Sequence, residues 1–183
     1  MDAFRWLHLT DLHWGLTGQK HLWPTIREKF FEDLGRLHAV TGPWDAVLFT
    51  GDLVQKGDPA EFSQLDESVL GPLWNRFREL DSNPVLLTVP GNHDLKRPGA
   101  KARKTPTIRW LLEPDGFQKI AEEFWNDRRS PYRRAIDSAF KAYQTWSTLR
   151  TARPIRSTPA SCRGISRPPS APAMVAAHRS QEL

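Results

Sequence analysis

Three short apolar runs punctuate the first ninety residues, and each ends in turn or polar residues. Residues 4–10 mix apolar and aromatic side chains and stop at Asp11. Ala46–Thr50 (AVLFT) stops at Gly51-Asp52, and Val85–Val89 (VLLTV) stops at Pro90-Gly91. Short unbroken apolar runs with such ends predict strands covered on both faces, as in a parallel sheet. Between them, apolar residues recur at helical spacing. Pro24 is placed to open a helix at its first position, and Ile26, Phe30, Leu34 and Leu37 follow in steps of three to four. Asp58-Pro59-Ala60-Glu61 reads as an N-cap, a first-turn proline and a glutamate at the third position. Phe62, Leu65, Val69, Leu73, Phe77 and Leu80 continue as one stripe, which Gly71-Pro72 is placed to kink or split. Residues 117–126 and 132–149 also read as helices. In the second of these, Ile136, Phe140, Tyr143 and Trp146 share a face.

Alternating strands and helices predict right-handed crossovers onto a parallel sheet, the α/β class. In such sheets ligands bind beyond the carboxyl ends of the strands. The pattern stops near residue 150. All 19 aromatic residues lie at or before Trp146, and residues 151–183 are rich in Ala, Pro, Ser and Arg. A segment of that composition cannot bury enough apolar surface to offset its ordering entropy, so a disordered tail is expected there. A shifted reading frame of a GC-rich gene would produce the same composition, as would a natural linker. The chain thus divides into a domain over residues 1–150 and a tail over 151–183.

Charge separates the parts further. The formal net charge is +5, yet residues 1–95 carry 8 Lys/Arg against 14 Asp/Glu. Residues 96–150 carry 13 against 6, and residues 151–183 carry 5 against 1. The basic excess behind the acidic first part suits a polyanionic partner. One cysteine, Cys162, can form no internal bridge, which fits a reducing compartment. No apolar stretch approaches the ~20 residues that span a bilayer. Asp2 and Arg5 interrupt the N-terminal apolar run, unlike a secretory signal. A cytoplasmic protein that does not enter a membrane is expected.

A polar cluster follows each strand: Asp11-Leu12-His13, then Gly51-Asp52, then Gly91-Asn92-His93-Asp94. If the strands are neighbours, all three converge on one edge. Converging carboxylate, imidazole and amide groups suit divalent metals of intermediate hardness, such as Mn, Fe, Zn or Ni. Asp11 and His13, two apart at a strand end, point the same way and can grip one ion. The two oxygens of Asp52 can bridge two ions.

The ordered series D-x-H, G-D and G-N-H-D resembles the calcineurin-like metallophosphoesterase family over residues 4–95. The resemblance implies the N-terminal half of that family's layered α/β sandwich. It also implies a phosphoesterase that cleaves a phosphomonoester or phosphodiester with a hydroxide activated by two divalent metal ions. Asp11 and His13 would hold the first metal, Asp52 would bridge the two, and Asn92 would hold the second. His93 would act near the leaving group as general acid or as stabiliser of developing charge. Asp94 would orient His93 through a hydrogen bond.

The family's further histidines, usually including a Gly-His-x-His element on a second sheet, have no counterpart. After His93 the only histidine is His178. The chain is therefore expected to be the N-terminal part of the domain. One face of its sheet should be less covered, its metal binding weak and its turnover alone slight. Two other roles stay open. One is a non-catalytic binding or regulatory module of the same family. The other is nucleic-acid binding through the basic region 96–134, where five of the nine residues from 96 to 104 are Lys or Arg. No nucleic-acid-binding motif accompanies that region. His8 reads as a packed or edge histidine, His21 as a surface one, and Trp14 as the tryptophan that borders the site.

Overall fold

The computed structural model describes residues 3–152, so the tail expected over 151–183 lies outside the described residues except for its first two. The apolar runs form β1 (Trp6–Leu9), β2 (Ala46–Thr50) and β3 (Val85–Val89), paired in parallel in that order. α1 (Gln19–Thr41) crosses from β1 to β2. From β2 to β3 the chain runs through α2 (Pro59–Leu65), a π-helical turn (Asp66–Leu70) and α3 (Gly71–Glu79). After β3 come α4 (Ala100–Arg103), α5 (Pro106–Leu112), α6 (Gly116–Asn126) and α7 (Pro131–Ala152). The α/β class is the one the alternation predicts. No helix among the described residues is long and apolar enough to cross a membrane.

Coverage of the sheet differs from the sequence expectation. Both crossovers advance the sheet in the same direction, and right-handed connections that do so lay their helices on one side. Val47 and Phe49 of β2 join Leu34, Leu65, Leu70 and Phe77 in one core, with Leu7, Leu9 and Leu86 packed against it. The opposite face carries Trp6, Val85, Leu87 and Val89, which are 50–58% exposed. The apolar runs predict strands correctly but cannot report coverage, because an apolar outer face reads the same whether or not something packs on it. The less covered face that the resemblance implies is therefore present among the described residues.

Pro24 lies inside α1 and not at its first position. The earlier start coincides with Gln19, whose amide locks the preceding loop. Its Oε1 accepts from the Gly15 N–H at 2.9 Å, and its Nε2 donates to the Leu12 carbonyl at 2.6 Å. Asp58 caps α2 as expected, accepting from the Ala60 N–H at 3.2 Å. Glu61 instead reaches the Lys56 N–H at 2.8 Å and fastens the loop before the helix. At Gly71-Pro72 the stripe passes through the π-helical turn without breaking. Pro72 has no N–H for the carbonyl of Ser68, and that oxygen accepts from Trp23 Nε1 at 2.9 Å.

The amphipathic pattern of residues 132–149 becomes α7, which docks on β3 and the π-helical turn. Trp146 stacks on Phe62 with ring centroids 5.2 Å apart and donates from Nε1 to Asp66 Oδ1 at 3.0 Å. Arg150 pairs with the same carboxylate. Tyr143 donates to the Thr88 carbonyl at 2.9 Å. Burial pushes the Tyr143 phenol above its ordinary range, the Thr88 hydrogen bond opposes that rise, and the charge of Asp94 adds to it. The hydroxyl therefore stays protonated and able to donate.

Two substitutions separate the covered face from the open one. Phe77→Ala removes a fully buried ring and should cost about 3–5 kcal/mol. Leu87→Thr on the open face should change stability by no more than about 0.5 kcal/mol and lower the binding of an apolar dye. Urea unfolding and dye fluorescence read both; comparable losses of stability would contradict the one-sided core.

Candidate metal centre

Past their last paired residues, β1 and β2 continue as two loops that hold each other. The Asp11 N–H donates to the Gly51 carbonyl at 3.2 Å, His13 to Asp52 at 2.8 Å, Trp14 to Leu53 at 2.9 Å, and Gln55 back to Trp14 at 3.0 Å. Both loops turn sharply. Asp11, His13 and Asp52 have φ of 56°, 50° and 51°. That left-handed conformation costs a non-glycine residue roughly 1–2 kcal/mol, and Asp and His tolerate it better than most. Strain of this kind gathers where side-chain placement matters more than stability.

The β3 loop reaches the other two because two glycines let backbone meet backbone. A Cβ at Gly91 would strike the Asp52 carboxylate and main chain, and one at Gly51 would sit 3.2 Å from the Gly91 Cα. Gly51 also has φ of 97°, which a side chain would strain. The junction is then closed by Asp94, which is fully buried. Its Oδ1 accepts from the Val54 N–H and its Oδ2 from the Gly91 N–H, each at 2.9 Å. Burial pushes this carboxyl above its ordinary range. The N–H groups of Gly91, Val54 and Leu53 pull it back, and the nearby charge of Asp52 adds to the rise.

His93 is held from two sides. Its N–H donates to Asp52 Oδ1 at 2.8 Å, and its ring Nδ1 lies 3.0 Å from the Gln55 carbonyl. A carbonyl only accepts, so Nδ1 carries the hydrogen and Nε2 keeps its lone pair. The orienting bond that the resemblance gives to Asp94 is thus made by Gln55, because both Asp94 oxygens are engaged by backbone N–H groups. Gln55 works through its main chain, so nothing in its residue type signals the role. Gln19 works through a side-chain amide seven residues from Leu12, a signal that no motif marks.

Around this frame the donor atoms converge. His13 Nε2 lies 3.7 Å from both Asp11 Oδ1 and Asp52 Oδ2, beyond hydrogen-bond reach. His13, Asp52 and His93 each offer a ligand atom, and these atoms lie within 4.8 Å of one another. The two imidazoles meet edge to face, with centroids 4.6 Å apart. Asp11 stands at the rim with its side chain 63% exposed, and the Thr10 hydroxyl donates to its Oδ2 at 2.6 Å. Asn92 is exposed in the β3 loop beside His93. Trp14 turns its ring into the core, edge to face with Trp23.

The donor atoms of His13, Asp52 and His93 are close enough to face one cation, while His13 Nε2 is too far from Asp11 and Asp52 for a hydrogen bond. Nδ1 of His13 is buried without a hydrogen-bond partner, so hydrogen bonding does not explain the ring's position. The donor set fits one divalent ion of intermediate hardness between His13 and Asp52, with Asp11 at its edge and the His93 ring beside it. A second ion would draw on Asp52 and Asn92, and no histidine after His93 lies among the described residues.

A family model described as calcineurin-like phosphoesterase matches residues 4–152. A search of the curated proteins finds no match.

Asp94→Asn tests the junction. An amide has one accepting oxygen, so one of the two N–H groups loses its partner, at about 1–3 kcal/mol. The variant should lower the midpoint of thermal unfolding by several degrees, about 2–4 °C per kcal/mol at this size. An unchanged midpoint would show that the carboxylate does not hold the loops.

Proposed function

Because the chain belongs to the calcineurin-like phosphoesterase family, we propose that the three converging loops form a metal-dependent centre for hydrolysis of a phosphate ester. The convergence of His13, Asp52 and His93 donor atoms carries this reading. On it, Asp11, His13, Asp52 and Asn92 are the metal ligands. A divalent cation held there supplies Lewis acidity, neutralising phosphate oxygens and lowering the pKa of water.

The chain's own residues supply orientation and the proton. Asp52 is aimed by its bond from the His93 N–H, which occupies Oδ1 and leaves Oδ2 facing His13. His93 is aimed by the Gln55 carbonyl at Nδ1, so its proton traffic runs through Nε2. When Nε2 is protonated, the ring donates at both nitrogens at once. Nδ1–H keeps its bond to Gln55 while Nε2–H is passed to the leaving-group oxygen. The buried carboxylate of Asp94 fixes the loop that carries His93 and is a positioning residue.

The ligand set legible in this chain supports about one well-held ion, so metal affinity should be modest and turnover slow. Manganese titration of the 183-residue chain should give about one equivalent, reduced at least tenfold in affinity by His13→Ala or Asp52→Asn. Bis-p-nitrophenyl phosphate should be turned over slightly or not at all. No bound metal in the parent chain would make it a non-catalytic module. Brisk turnover that survives Asp52→Asn would place the chemistry elsewhere.

A further inference from the structure

A concavity of about 650 Å³ lies between the chain that directly follows Asp94 and helices α4 to α7. That size is typical of pockets for small organic ligands. Leu111, Phe124, Ile136 and Phe140 line it, and its polar side chains are Lys96, Arg97 and Ser138. We propose that this cleft receives the aliphatic body of a phosphate ester whose phosphate sits at the metal centre. The proposal rests on the phosphoesterase reading and adds the substrate class.

Continuity comes first. Leu95 and Lys96, part of the cleft wall, directly follow Asp94, and the Lys96 N–H is tied to the Ala139 carbonyl of α7 at 2.9 Å. The same segment packs against Gly57, where a Cβ would meet the Asp94 carbonyl and the Lys96 nitrogen at 2.7 Å. One stretch of backbone therefore serves as the edge of the metal site and the wall of the cleft.

Charge and hydrogen-bonding capacity then select the ligand. The lining holds two cations and no carboxylate, which favours an anion. It holds few groups able to satisfy a base edge or sugar hydroxyls, and polar groups buried there would lose their partners. Alkyl carbon has no such requirement. The basic excess over residues 96–150, which the sequence offers to a polyanion, here borders an apolar hollow.

Calorimetric titration of the full chain with ethyl phosphate and octyl phosphate, in the presence of Mn²⁺, tests this. Each buried methylene can raise affinity by up to about fourfold, so octyl phosphate should bind at least tenfold more tightly than ethyl phosphate. Ile136→Asp, at a position 38% exposed, should cancel that gain. Phe124→Ser is the second variant should the first not fold. Equal affinities for the two esters, both still Mn²⁺-dependent, overturn the proposal and leave the phosphoesterase reading intact. A gain that persists in Ile136→Asp and Phe124→Ser places the alkyl chain elsewhere, such as on the open sheet face, and also overturns it. So does a gain indifferent to Mn²⁺ and to Asp52→Asn, which separates the cleft from the centre. Displacement of octyl phosphate by a single-stranded oligonucleotide assigns the region to nucleic acid and overturns it as well.

Discussion

One buried carboxylate holds the working end of this sheet together. Asp94 accepts backbone N–H groups from its own loop and from the loop after β2. Taking a carboxylate out of water is costly unless donors replace the lost hydration. Here the replacements come from two different strand ends, so the charge is tolerated only while those ends stay together. Gly51 and Gly91 make the approach sterically feasible, and the bond from His93 N–H to Asp52 then sets the carboxylate that faces His13. Fold and chemistry meet in this junction. Parallel strands deliver their carboxyl ends to one edge, and the clamp converts that proximity into fixed side-chain positions.

Much of this was legible in the sequence, for identifiable reasons. Strands and main helices were marked by unbroken apolar runs and by stripes at helical spacing, and turn residues marked where the runs stop. Asp11, His13, Asp52, Asn92, His93 and Asp94 all follow strands, so parallel pairing alone brings them near one another. What stayed hidden has no residue-type signature. The ring of His93 is aimed by a main-chain carbonyl, and that of Gln55 would serve in any residue. The start of α1 depends on where the Gln19 amide finds partners, which moved the helix start ahead of Pro24. The apolar run of β3 misled on coverage because its open face, Val85, Leu87 and Val89, is entirely apolar although it is half exposed.

The division of charge along the chain now has a spatial counterpart. The acidic first part supplies strand-end carboxylates, and the basic segment after His93 folds into helices around an apolar cleft. A cation-binding edge next to a hollow with lysine and arginine in its lining is suited to a molecule with an anionic head and a carbon body. The open sheet face, with Trp6 and Leu87 half exposed, is a separate apolar surface on the far side of the core.

The central claim is that the three loops share a cation. Crystals grown with Mn²⁺ and measured for anomalous scattering test it most directly. The expected result is a peak between His13 Nε2 and Asp52 Oδ2, both at ligand distances of about 2 Å, with the His93 ring facing it. A peak at some other group of side chains, or none at saturating manganese, would contradict it.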